Sequence, residues 1–119
     1  MRFEGIYTPV VTPHRADHTI DTDRLAEVIE FLVASGVHGL VIAGTTGEYY
    51  AQTAEERVEV MGLAGRLIAG RLPMIVGTGA IRTEDSVMYA RAAKDAGADA
   101  LLVTTPPYAY PTEREIALH

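Results

Sequence analysis

The chain has 119 residues, 48% of them apolar and 22% charged, and its 10 Lys plus Arg against 16 Asp plus Glu leave a formal net charge of −6. A chain of this length holds one domain at most, and its composition excludes a disordered, collagen-like or low-complexity protein. The acidic surplus offers no clustered cations to a nucleic-acid backbone or an anionic bilayer, so neither nucleic acid nor membrane is an expected partner. The absence of cysteine removes disulfides and thiolate sites and makes the cytoplasm the expected compartment.

The N-terminal stretch mixes Arg2, Glu4, Gly5 and Pro9 with apolar residues, which fits neither a signal peptide nor a transit peptide. Apolar runs at 5–11, 39–43, 73–77 and 99–104, rich in Val, Ile and Leu without strict alternation, predict four strands buried on both faces and therefore parallel. After the first strand, Leu25, Val28, Ile29, Leu32 and Val33 form one helical stripe. After the second, Thr53 and Glu56 form a capping box. Val58, Met61 and Ile68 are then expected on the inward side of the helix, and Gly70 as its left-handed terminus. After the third strand, Thr83 is expected to cap a helix that turns Val87, Ala90 and Ala93 inward and closes at Gly97. The segments 35–42 and 96–103 echo one another as helix end, glycine, short turn and strand, the mark of a repeated unit. Thr112 and Glu115 open a fourth helix, and the chain stops at His119. A helix this short is marginal alone, so the expectation is a chain truncated in its fourth helix. Residues 1–119 would then be the N-terminal half of a single (β/α)8 barrel domain, with about four of its eight βα units.

In parallel α/β folds a ligand meets the loops at the carboxyl ends of the strands. Here those loops read Thr12-Pro13, Gly44-Thr45-Thr46-Gly47-Glu48, Gly77-Thr78-Gly79-Ala80 and Thr104-Thr105-Pro106-Pro107-Tyr108. Glycines let a backbone come close to a ligand, and adjacent threonine hydroxyls with free amides can hold a carboxylate. Gly44, Thr46 and Gly47 are the expected binding residues. No lysine of the kind a nucleotide-phosphate loop carries is present. The plainer reading of the same residues is a tight strand-to-helix turn.

Taken in order and spacing, TP, GTTGE, GTGA and the Pro-Tyr pair resemble the N-terminal half of the dihydrodipicolinate synthase and N-acetylneuraminate lyase family. The likeness covers essentially the whole chain. It implies a (β/α)8 barrel that performs Schiff-base lyase, aldolase or dehydratase chemistry on pyruvate or another 2-keto acid, with no metal and no organic cofactor. It also implies that Thr45 and Thr46 bind the keto acid's carboxylate and that Thr45 and Tyr108 belong to a proton relay. Tyr108 would reach into a neighbouring subunit's site, and the full-length form would be a homodimer or homotetramer. The Schiff-base lysine, a second relay tyrosine and an arginine for a second carboxylate would lie outside this chain, which would be inactive alone.

Three residues depart from the synthase pattern: Pro107 where an aromatic stands, Tyr49-Tyr50 where small residues follow the motif, and Pro9 in strand one. GTTGE favours the synthase reaction over the sialic-acid lyase, whereas the changed bulk favours a 2-keto-3-deoxy sugar acid dehydratase or aldolase. Readings of another class are a non-catalytic flavodoxin-like domain and a half-barrel scaffold. Lys94, the single lysine, falls on the third helix and is expected to be a solvated ammonium. His14 and His18 share no buried stripe that would hold a metal, so a solvated loop is expected there. His38 is expected to pack or face solvent, and the pairs Glu55-Glu56 and Glu84-Asp85 to complement helix dipoles.

Overall fold

In a computed structural model, residues 3–106 and 110–119 are described. Four strands, β1 (Tyr7–Pro9), β2 (Gly39–Ile42), β3 (Met74–Gly77) and β4 (Ala100–Leu102), form one parallel sheet in the order β1-β2-β3-β4. Thr8 stands opposite Leu40, Leu40 opposite Met74, and Val76 opposite Leu101. A sequential order sets aside the flavodoxin-like alternative, whose second strand lies outside its first. Each strand is shorter than its apolar run, because the run's ends already turn into the loops. Pro9, which has no N–H to give a ladder, sits in β1 at an edge of the sheet, where it is tolerated.

The helices α1 (Thr22–Ala34), α2 (Ala54–Ile68) and α3 (Thr83–Asp95) follow the first three strands, with α1 packed on α2 and α2 on α3. The core lies between them and the sheet, where Leu40, Ile42, Met74 and Val76 meet Leu25, Ile29, Met61 and Ala64. Full burial of side chains such as Ile29 and Met61, each 0% exposed, stabilises by about 1.5–3 kcal/mol apiece. The expected stripe of α1 holds, with Leu25 and Ile29 buried and Val28, Leu32 and Val33 packed against them.

Both expected capping boxes are formed, Thr53 with Glu56 at the start of α2 and Thr112 with Glu115 at the start of the short α4 (Glu113–Leu118). The repeated unit is also visible in the backbone. Ser35 and Ala96 end their helices in the same conformation, and Gly36 and Gly97 follow at φ of 76° and 85°.

Several expectations are corrected. Val58 is exposed, and Arg57 is buried in its place beside Val60, Met61, Ala64 and Ile68. Val87 is exposed and Ala90 only half-buried, because α3 buries Ser86, Tyr89 and Ala93. Thr83 is the first residue of α3 and not its cap. Its hydroxyl meets Nδ1 of His119 at 2.9 Å, while Arg82 occupies the cap position without a side-chain bond. Gly70, by contrast, follows α2 in the expected left-handed conformation at φ 73°, and the cap residue before it, Ala69, is left-handed as well at φ 47°.

Candidate functional site

The four loops at the carboxyl ends of the strands meet, and each is tied to the next. Gly44 is buried and leads into a short 3₁₀ turn, Thr45–Gly47, closed by the Gly47 N–H donating to the Gly44 carbonyl at 3.0 Å. Glu48 follows in the left-handed region at φ 54°, and Ala43, just before the turn, is left-handed as well at φ 53°. Two such residues without glycine's freedom cost on the order of 1 kcal/mol each, a strain that only surrounding contacts can hold. A second 3₁₀ turn, Tyr49–Ala51, continues the loop, and Gln52 Nε2 donates to the Gly47 carbonyl at 3.0 Å.

This geometry leaves the side chains of Thr45 and Thr46 exposed at the end of β2, while Gly44 and Gly47 are buried beneath them. Two hydroxyl donors so placed suit a carboxylate. Of the expected site residues, Gly44, Thr45, Thr46 and Gly47 are therefore brought together. Tyr108 and Pro107 lie outside the described residues.

Close approach fixes the neighbours. A Cβ on Gly47 would stand 3.0 Å from the Val10 carbonyl oxygen and 3.3 Å from Oγ1 of the buried Thr12, so the loops after β1 and β2 interlock there. A Cβ on Gly79 would strike Oγ1 of Thr104, and the Thr78 N–H donates to the Leu102 carbonyl at 3.0 Å, which joins the loops after β3 and β4.

The link between the loops after β2 and β3 comes from a residue that sequence reasoning missed. Arg57 is 3% exposed. Its Nη1 donates to the Gly79 carbonyl at 3.0 Å and its Nη2 to the Gly77 carbonyl at 2.8 Å. The guanidinium carbon lies 4.4 Å from the ring centre of Tyr49 and 4.1 Å from that of Tyr89. Burial draws its pKa below the usual arginine value, against the favourable pull of the Tyr89 and Tyr49 phenols. Thr45, Tyr49, Arg57, Gly77, Gly79 and Thr104 help enclose a void of about 10 Å³, room for one water molecule at most. The signal available in the sequence was the position of Arg57, three, four, seven and eleven residues before Val60, Met61, Ala64 and Ile68 on the buried face of α2.

Next to Arg57, Oγ1 of Thr78 is fully buried without a hydrogen-bond partner among the described residues, while Ser86 Oγ donates to the Thr78 carbonyl at 3.0 Å. Among the described residues no three His, Asp or Glu side chains gather as a metal site. His14 forms an isolated bridge with Ile20, and His18 turns the chain at φ 70°. His38 Nδ1 accepts from the Ile6 N–H at 2.9 Å and holds the N-terminal stretch to the turn before β2. Lys94 is exposed on α3, away from these loops. No helix among the described residues is long and apolar enough to cross a membrane.

The family model described as the dihydrodipicolinate synthetase family matches residues 2–119. The 4-hydroxy-tetrahydrodipicolinate synthase of Cellvibrio japonicus is 40% identical over 116 residues, covering 98% of this chain and 40% of its own length. That of Methanoculleus marisnigri is 41% identical, covering 98% of this chain and 41% of its own. The crystal structure of dihydrodipicolinate synthase from Aquifex aeolicus superposes with a TM-score of 0.91 at 37% identity, over 96% of this chain and 39% of that one. A prophage protein of the dihydrodipicolinic acid synthase family from E. coli K12, solved in complex with pyruvate, gives a TM-score of 0.91 at 34% identity, over 95% of this chain and 38% of that one. The chain thus spans about 40% of the length of the curated relatives it matches, and its sheet is part of a (β/α)8 barrel.

Proposed function

The chain belongs to the dihydrodipicolinate synthetase family, a family of lyases, and on that premise we propose that it forms the carboxylate-binding part of a Schiff-base lyase acting on pyruvate or another 2-keto acid. The reaction proposed is that of 4-hydroxy-tetrahydrodipicolinate synthase, by similarity to the relatives that carry this name. The observation that carries the reading is the turn after β2, set between the left-handed residues Ala43 and Glu48, which leaves Thr45 and Thr46 exposed at the sheet's carboxyl end. The pyruvate held by the E. coli K12 relative supports the substrate class.

In this reading residues 1–119 are the N-terminal half of a single barrel domain. Thr46 anchors the carboxylate at the turn framed by Gly44 and Gly47, whose lack of side chains lets the ligand approach the backbone. Thr45 and Tyr108 pass a proton between hydroxyl and phenol, and the lysine that forms the Schiff base comes from outside this chain. The assembly is a cytoplasmic homodimer or homotetramer without metal or organic cofactor. A 2-keto-3-deoxy sugar acid dehydratase or aldolase is the second reading, favoured by Tyr50, which stands 65% exposed two residues after the motif.

The roles separate kinetically in a full-length protein that carries this segment. Tyr108→Phe and Thr45→Val each lower kcat by about 100-fold or more, less than additively when combined, whereas Thr46→Val chiefly raises KM for the keto acid. Near-full kcat in Tyr108→Phe overturns the relay. With the 119-residue chain itself, borohydride and pyruvate should leave Lys94 unmodified, and a mapped pyruvate adduct on it would refute the assignment of the Schiff-base lysine elsewhere.

A further inference from the structure

Among the described residues Arg57 is the one charged residue in the buried set. A buried charge is normally retained beside an opposite charge, since desolvation otherwise costs several kcal/mol. Arg57 instead has two backbone carbonyls and two aromatic faces. The carbonyls belong to Gly77 and Gly79, on either side of Thr78 in the loop after β3. One ring belongs to Tyr49, in the loop after β2, and the other to Tyr89 of α3. A lysine could not reproduce this arrangement. An ammonium can approach one carbonyl closely, but it has neither the fork that spans two acceptors nor a plane that rings can cover on both sides.

We propose that Arg57 is the positioning residue of the site, its guanidinium coupling the loop after β2 to the loop after β3 so that the strained Thr45–Gly47 turn holds its shape only while both are engaged. The functional consequence rests on the carboxylate-binding reading above; the coupling itself does not. The other ties between loops are backbone or packing contacts, at Gly47, at Gly77 against the Ala43 carbonyl, at Gly79 and from the Thr78 N–H to the Leu102 carbonyl, so the guanidinium is the link that a single side chain supplies and a soluble analogue can replace.

The test is amide hydrogen exchange, resolved by residue, on the 119-residue chain and its Arg57→Lys, Arg57→Ala and Tyr49→Leu variants. In Arg57→Lys, amides at 45–48 and at 78–80 should exchange faster together, by about tenfold or more, while those of Val60 and Met61 in α2 stay protected. Millimolar methylguanidinium, and not methylammonium, should restore both loops in Arg57→Ala. A rise in one loop alone, a rise spread evenly over the chain, or equal rescue by methylammonium overturns the proposal. If the arginine variants unfold outright, Tyr49→Leu decides. Faster exchange that extends to 78–80 supports the coupling, and faster exchange confined to 45–52 overturns it. A separate titration of the unsubstituted chain with pyruvate, read at the amides of Thr45 and Thr46, keeps the two readings apart. Unmoved amides there, with the paired loss in Arg57→Lys intact, refute carboxylate binding and leave the coupling standing.

Discussion

Replacing Thr78 by Val exchanges a hydroxyl for a methyl of nearly the same shape at a position that is 0% exposed and whose Oγ1 finds no partner among the described residues. A hydroxyl moved from water into such a site loses about 1–3 kcal/mol of solvation that nothing returns, and the methyl adds apolar burial worth up to about 0.8 kcal/mol. With allowance for imperfect fit, the substitution should stabilise the chain by about 1 kcal/mol. For 119 residues that raises Tm by about 4 °C. Ser86→Ala, a few ångströms away, should do the reverse, because the Ser86 hydroxyl supplies a 3.0 Å bond to the buried Thr78 carbonyl. Its loss costs about 1 kcal/mol and a similar fall in Tm. Calorimetry or circular dichroism on the two variants under one buffer gives both signs in one experiment. A fall in Tm for Thr78→Val comparable to that of Ser86→Ala would show that the Thr78 hydroxyl is bonded and refute the reasoning.

Thr53→Ala removes the 3.2 Å bond that Oγ1 receives from the Glu56 N–H and half of the capping box of α2, and should lower stability by about 1 kcal/mol in urea unfolding. Gly79→Ala drives a Cβ into Thr104 and should cost about 1–3 kcal/mol, eased in the double variant with Thr104→Ala. The forked Arg71 guanidinium holds the Glu30 carboxyl below the usual carboxylate range and ties α1 to the turn after α2. Because the folded value is the depressed one, this contribution is present at neutral pH and is lost as pH falls through the carboxylate range. Glu30→Gln should therefore lower the urea midpoint at pH 7 and flatten the acid limb, by an amount that added salt reduces.

The parallel sheet, the capping boxes and the clustering of Gly44 to Gly47 at a strand end were legible because each depends on short-range patterns. The errors share one cause. Hydropathy placed Val58 and Val87 inside, yet the buried positions next to them in sequence belong to Arg57 and Ser86. Arg57 is buried because Tyr49, Tyr89 and two carbonyls converge on it, and Ser86 because it reaches the Thr78 carbonyl. These partners lie in other segments, so the apolar count misplaces the first inward turn of α2 and of α3, while Met61, Ile68 and Ala93 are buried as expected. Thr83 was mistaken for a cap for a related reason, since its hydroxyl engages His119 at the far end of the chain.

Pro9 gives the sheet's first edge a chemical direction. Residues 6 and 10 send their amides toward β2, to His38 Nδ1 and the Val41 carbonyl, so alternation turns the backbone groups of Tyr7 and Pro9 outward. Across β1 that outer margin can accept two hydrogen bonds but donate only one. A strand laid along it, as the closing strand of the barrel would be, meets one donor fewer than acceptors, which favours the register that leaves the missing bond opposite Pro9. Pro9→Val would restore the missing donor and open that margin to any extended segment.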